Sequence, residues 1–236
     1  MRILFFICIV FVFSVSAQTP FIRQTFEAAN AAAQKQQYEQ AIEKYQATIL
    51  RADVERLSET FLAKIHFNIG VCFYHLKKTN EAVAEFTEAV KLSKRGYQKA
   101  FYALGMAQKD LKDWRAAASA LRDALKIDKT DGEAWFDLGL IYLEEKNFAA
   151  ARKAFENSVK YKSVNEADAH NNLGVIAALE NDWTAAETKF ITALTVSSNK
   201  SVEARNNLQF CQSYKQNSHK NLLAKFEFSR KTKQSE

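Results

Sequence analysis

Residues 132–165 read GEAWFDLGLIYLEEKNFAAARKAFENSVKYKSVN, thirty-four residues whose Leu138-Gly139 pair returns elsewhere in the chain as Ile69-Gly70, Leu104-Gly105 and Leu173-Gly174. The four glycines lie 35, 34 and 35 residues apart. Twelve residues beyond each glycine stands an alanine (Ala82, Ala117, Ala151, Ala186), and four further a large apolar residue (Phe86, Leu121, Phe155, Phe190). Three residues later comes another small one (Ala89, Ala124, Ser158, Ala193). A period of this length marks a repeat architecture, in which each copy is a supersecondary unit that buries its apolar face only against its neighbours. Each copy reads as two amphipathic helices joined by a few polar residues, for example Lys112-Asp113 and Asn181-Asp182, usually ending in an aromatic (Tyr38, Trp114, Phe148, Trp183).

The pattern resembles the tetratricopeptide repeat. In 132–165, Trp135, Leu138, Gly139, Tyr142, Ala151, Phe155 and Ser158 fall on seven positions of that family's motif in register. The resemblance implies an all-α fold, a right-handed superhelical solenoid of stacked helix-turn-helix repeats. Its register divides the chain into a degenerate first repeat with an extended connection (22–62), repeats at 63–97, 98–131, 132–166 and 167–201, a capping half-repeat at 202–214 and a basic tail at 215–236. Three departures stand out. The motif proline is replaced in every copy, by Lys94, Lys129, Ser163 and Ser198. The first two copies are 41 residues apart, which predicts one or two extra helical turns around Arg51 to Thr60. The last copy carries Arg205 and Gln209 where the signature would face the core, as a polar terminal cap does.

Composition agrees. The 236 residues include one proline and six glycines, too few for a hairpin-rich β fold. Three cysteines are too sparse for a disulfide scaffold, and no Cys or His stands at zinc spacing. Cys72 and Cys211 occupy the same motif position four repeats apart, so both are expected as free, buried thiols. The formal charge of +6 is a weak argument for a nucleic-acid partner, and none is expected.

Met1 and Arg2 precede eleven apolar residues, Ile3 to Phe13, then Ser14-Val15-Ser16-Ala17. A charged start, a short apolar core and small residues at Val15 and Ala17 read as a signal peptide, residues 1–17, cleaved after Ala17. The run falls short of the ~20 residues a spanning helix needs, and an uncleaved anchor is the alternative. Export to the periplasm or the extracellular space follows from the signal peptide. A bacterial envelope is inferred from finding this family behind such a segment.

The resemblance implies that the first helix of each pair lines a concave face. The candidate partner-binding residues are Phe67, Val71, Tyr74, Lys99, Tyr102, Met106, Phe136, Leu140, Leu143 and Val175. Among them Val71, Tyr74, Met106, Leu140, Leu143 and Val175 make an apolar groove floor, of the kind that marks an interaction site, unless neighbouring helices or the tail cover it. Lys64, Lys99, Glu133, Asp168 and Glu203 share the second motif position and form either a graded charge along the groove or a solvated edge. The lysine and asparagine clamp of chaperone-binding relatives is absent, since its matching positions hold Phe67, Val71 and Ala103. An asparagine ladder is interrupted by Ala103 and Asp137.

No nucleotide, zinc-protease or serine-hydrolase motif occurs, and His66 and His170 sit where the motif's Trp packs between helices. The chain therefore reads as a non-enzyme without metal or cofactor: an exported adaptor or assembly factor of the cell envelope that takes a protein or peptide ligand in its groove. The alternatives are a self-associating scaffold and a non-catalytic accessory subunit of an envelope enzyme complex. The tail, with Lys215, Lys220, Lys225, Arg230, Lys231 and Lys233 beside Leu222, Leu223, Phe226 and Phe228, adds a weak contact with an anionic membrane, docking on the last repeat, or a solvated terminus. Expressed in a bacterial host with its leader, the protein is expected to yield an intact mass beginning at Gln18. A mass retaining Met1 contradicts cleavage.

Overall fold

The computed structural model describes residues 20–51, 56–94 and 96–217, with side chains to 214. The predicted signal peptide, most of the tail and part of the long connection lie outside them. Among the described residues there are helices and turns but no strand. The chain divides into two compact units, one ending at Ser58 and the other beginning at Glu59.

The first unit is a helix pair, α1 (Pro20–Gln34) and α2 (Tyr38–Ile49). Ala29 stands in the place of the repeat glycine and Tyr45 in that of the phenylalanine, both buried. The Tyr45 hydroxyl donates to Asn30 at 2.5 Å, and its ring lies 5.8 Å from that of Phe26. These contacts latch the pair without a glycine.

The second unit holds four helix pairs and a closing helix: α3 (Glu59–His75) with α4 (Thr79–Leu92), α5 (Gln98–Asp110) with α6 (Trp114–Ile127), α7 (Gly132–Glu144) with α8 (Phe148–Lys160), α9 (Glu166–Leu179) with α10 (Trp183–Val196), and α11 (Val202–Asn217). Each helix packs chiefly on its sequence neighbours, as stacked repeats do. The glycines lie where paired helices come closest. A Cβ built on Gly70, Gly139 or Gly174 would sit 2.6 Å from the ring of Phe86, Phe155 or Phe190, inside van der Waals contact. Gly105 faces the smaller Leu121, with a corresponding distance of 3.0 Å.

The turns within pairs are set by backbone bonds. After α5, the Asp113 N–H donates to the Gln108 carbonyl at 3.0 Å and the Lys112 N–H to the Lys109 carbonyl at 2.9 Å. That is a Schellman closure with Lys112 in the left-handed region at φ 62°. Lys77, Lys146 and Asn181 repeat it at φ 61°, 57° and 66°. Asp113, Asn147 and Asp182 then cap the following helix by accepting from the N–H of Ala116, Ala150 and Ala185.

Three of the four turns between repeats have a backbone that excludes the motif proline or would lose a bond to it. Lys94 and Ser198 take φ 52° and 50°, which the pyrrolidine ring cannot adopt. At Ser163 the backbone N–H donates to the Ser158 carbonyl, a bond proline would forfeit.

In the long connection Arg51 and residues 56–58 are not helical, Arg56 lies at φ 50°, and α3 begins at Glu59, one turn ahead of Ala63; the rest of the stretch in which extra helical turns are expected lies outside the described residues. At the other end α11 runs to Asn217, three residues past the expected close of the cap at 214. Cys72 and Cys211 are buried thiols in no disulfide, as expected. Burial pushes the Cys72 thiol up to about 11, so it stays protonated and inert near neutrality.

Replacing Gly139 by Ala is expected to cost about 1–3 kcal/mol in chemical denaturation, because the Phe155 ring must move. Gly105→Ala is expected to cost less, since Leu121 meets the new methyl at a longer distance. Equal losses at the two sites contradict the ring contact as the cause.

Candidate functional site

The first helices of successive repeats run in parallel register, tied by polar bonds between residues 33 to 36 positions apart. The Tyr74 hydroxyl donates to Asp110 at 2.5 Å and the Tyr102 hydroxyl to Asp137 at 2.6 Å. Gln98 donates to Asp131 at 2.6 Å, and Asn207 to Asn171 at 2.9 Å. Asp137 is fully buried, and its second oxygen lies 3.6 Å from the Lys109 ammonium. Burial, reinforced by these carboxylates, lifts the Tyr74 and Tyr102 phenols well above their usual range, so both remain hydrogen-bond donors.

Between α3 and α5 these rungs frame an apolar hollow of about 270 Å³, lined by Val71, Tyr74, Phe86, Tyr102, Ala103 and Met106. Four are predicted groove residues. Ala103 and Phe86 were not anticipated. Ala103 is one helical turn from Met106, and its small side chain opens the floor. The Phe86 ring reaches the hollow because Gly70, opposite it, has no side chain. A cavity this size admits one large apolar side chain, and nothing in its lining offers a nucleophile or a general base.

The other predicted residues divide. Phe67 is half-buried against the rings of Phe86 and Tyr97, at 5.8 and 5.1 Å. Leu140 and Leu143 are half-buried beside the core of the repeat at 132–166, and Lys99 is exposed. Phe136 and Val175 are corrections, because both are buried in the core and unavailable to a partner. The Phe136 ring packs on Phe155 at 5.6 Å, and Val175 is enclosed with Phe190 and Cys211 of the closing helix.

The charged row also resolves. Lys64 and Lys99 are exposed. Glu133 instead clasps the turn after α8, accepting from the Ser163 hydroxyl at 2.6 Å, the Val164 N–H at 2.7 Å and the Asn165 amide at 2.5 Å. His66 bridges its helix pair through Glu85 at 2.6 Å. Among the described residues no cluster of His, Cys, Asp and Glu could hold a metal ion, and no helix is long and apolar enough to cross a membrane.

The family model of the tetratricopeptide repeat matches residues 26–96, 102–160 and 146–201. The chain belongs to the tetratricopeptide-repeat family. Solved structures share this fold. MamA from Desulfovibrio magneticus RS-1 is 18% identical, with a TM-score of 0.66 over 78% of this chain and 99% of that one. YrrB, described as a tetratricopeptide-repeat protein with an unusual peptide-binding site, is 21% identical, with a TM-score of 0.62 over 78% and 95%. A tetratricopeptide-repeat protein from Parabacteroides merdae is 17% identical, with a TM-score of 0.68 over 82% and 74%. At these identities the likeness concerns the fold, an all-α helical repeat.

One buried histidine gives this repeat array a pH dependence. Burial, aided by Lys189, lowers the His170 pKa from its usual 6.5, with Glu166 opposing. The unfolded chain therefore takes up the proton first, and stability falls as pH drops below about 6.5. Denaturation between pH 7 and 5 is expected to show this loss, and His170→Gln to flatten it. An unchanged slope in the variant assigns the dependence to other groups.

Proposed function

We propose that this tetratricopeptide-repeat protein is an exported, non-catalytic adaptor or assembly factor of the cell envelope, which holds another protein through the hollow between α3 and α5. The observation that carries the reading is the open apolar hollow floored by Val71, Ala103 and Met106. Its volume of about 270 Å³ suits an aromatic or branched aliphatic anchor, and the Tyr74 and Tyr102 side chains in its lining are held by Asp110 and Asp137, so less side-chain order is lost on binding. YrrB supports the reading as a protein of the same fold with a peptide-binding site. Tetratricopeptide-repeat proteins are typically scaffolds without chemistry of their own, which agrees with a lining devoid of nucleophile and base. Placement in the envelope rests on the signal peptide expected at residues 1–17, which lies outside the described residues.

A charge on the floor would have to be desolvated by any apolar anchor. Met106→Glu is therefore expected to release a partner that co-purifies with the mature chain, weakening it at least ~10-fold, while helical circular dichroism is unchanged. Lys99→Ala, on the exposed edge, is the matched control. Full retention by Met106→Glu refutes the hollow as the docking point.

A further inference from the structure

The two ends of the helix pairs in the second unit differ. First helices are parallel and each second helix runs back, so turns within pairs lie at one edge and turns between repeats at the other. Among the described residues of this unit six large apolar side chains are exposed, and four of them, Ile127, Val164, Val196 and Val202, stand at the turns between repeats. At the opposite edge only Leu111 does. Val164 is the extreme case. It is 77% exposed although its turn is pinned, since Glu133 accepts from the Ser163 hydroxyl, the Val164 N–H and the Asn165 amide. Its isopropyl group is held out in water by a backbone that is not free to fold it away.

Cations flank these side chains. Lys129, Lys160, Lys162 and Lys200 are exposed at the same three turns, and none of them is in an ion pair. The carboxylates there are engaged inward. Asp131 accepts from the Ala134 N–H and from Gln98, and Asp128 from the N–H and hydroxyl of Thr130. Glu133 holds the 163–165 turn, and Glu166 and Glu203 are half-buried. The turn joining α4 to α5 adds Lys94, its side chain 83% exposed and paired with Glu59, and the sequence from Lys91 to Lys109 holds no carboxylate. The edge of turns within pairs is unlike this one. Over its last three turns it exposes Asp113, Glu144, Glu145, Glu180 and Asp182 against Lys112 and Lys146.

A surface that suits this edge must offer anionic groups to separate lysines and, just beneath them, an apolar layer for projecting aliphatic side chains. A polynucleotide supplies phosphates but no such layer, and a rigid protein would need a socket for each crest. The headgroup zone of a bilayer supplies both and conforms to the crests. We infer that the second unit docks on an anionic lipid surface by the edge of its turns between repeats. Lys129, Lys160, Lys162 and Lys200 lie among the headgroups, and Ile127, Val164, Val196 and Val202 enter the interface. The edge carrying Glu144, Glu145 and Glu180 then points away from the membrane. The hollow between α3 and α5 takes no part, so its reading as a docking point stands or falls separately.

Fluorescent probes at the two edges test this. Cys72 and Cys211 are buried, so in the mature chain Val164→Cys or Leu111→Cys takes a single environment-sensitive nitrobenzoxadiazole label. With vesicles of phosphatidylcholine containing about one-third phosphatidylglycerol, the Val164→Cys label is expected to brighten and shift to the blue, and the Leu111→Cys label to stay as in water. With phosphatidylcholine alone neither responds. Lys160→Glu with Lys162→Glu is expected to weaken vesicle binding at least ~10-fold while helical circular dichroism is unchanged, and raised salt to weaken it as well. Should that pair disturb folding, Lys129→Glu with Lys200→Glu makes the same test, and Val202→Cys is a second label position. Edge labels that stay in water, or respond no more than the Leu111→Cys label, overturn the proposal. So does binding that survives both lysine pairs but is lost with Lys225→Glu and Arg230→Glu, which assigns the contact to the tail. A Val164→Cys label that responds equally to a DNA duplex overturns it in favour of a general polyanion surface.

Discussion

The contact between a bare glycine and an aromatic ring sixteen residues later sets the geometry of the stack. It fixes how closely two helices of a pair approach, and the alanine between them in register, such as Ala82 or Ala151, keeps the rest of the seam thin. Burying a phenylalanine contributes about 1.5–3 kcal/mol, so one ring per pair is a substantial part of what a helix pair needs to hold together. Where the ring is replaced by Leu121, or glycine by Ala29 with Tyr45 opposite, the seam persists with a different fit. The constraint is therefore on combined volume across the seam, and each copy satisfies it separately.

The second constraint is polar and runs along the stack. Tyr74–Asp110, Tyr102–Asp137 and Asn207–Asn171 link one first helix to the next, so the row of first helices is braced by donors and carboxylates, some fully buried. Such bonds make slippage between repeats costly, because a displaced partner would leave a buried carboxylate or amide unpaired. The turns contribute in a different way. Schellman closures formed by backbone atoms leave the side chains at Lys77, Lys112, Lys146 and Asn181 free of any packing duty, which explains why a polar residue suffices where glycine would be easier.

Much of this is legible in the amino-acid order, for a physical reason. Gly139 and Phe155 lie within one copy, so the spacing that reports their contact is local. The burial of Phe136 and Val175 is not, because each depends on a neighbouring element: Phe136 sits among residues of α8 and α9, and Val175 is closed off by Cys211 of α11. A motif position tells which side of a helix a residue occupies, and not what the next repeat places over it. The same limit applies to Glu133, which reads as one of a charged row and instead grips the turn thirty residues on. The hollow falls between these cases. Val71, Tyr74, Tyr102 and Met106 follow from the register, while Phe86 enters it only because the opposing glycine is empty.

The two sealed thiols carry a consequence for how the chain reaches this state. Once folded, Cys72 and Cys211 are out of reach of oxidants and of each other. Before folding they are open to both, and a bond between residues so far apart in the stack would be incompatible with it. In an oxidising medium the yield of native protein is then a race between helix pairing and thiol chemistry. A fold assembled almost wholly from contacts between adjacent elements is suited to win it, since short-range contacts form within microseconds to milliseconds, whereas disulfides take seconds or longer.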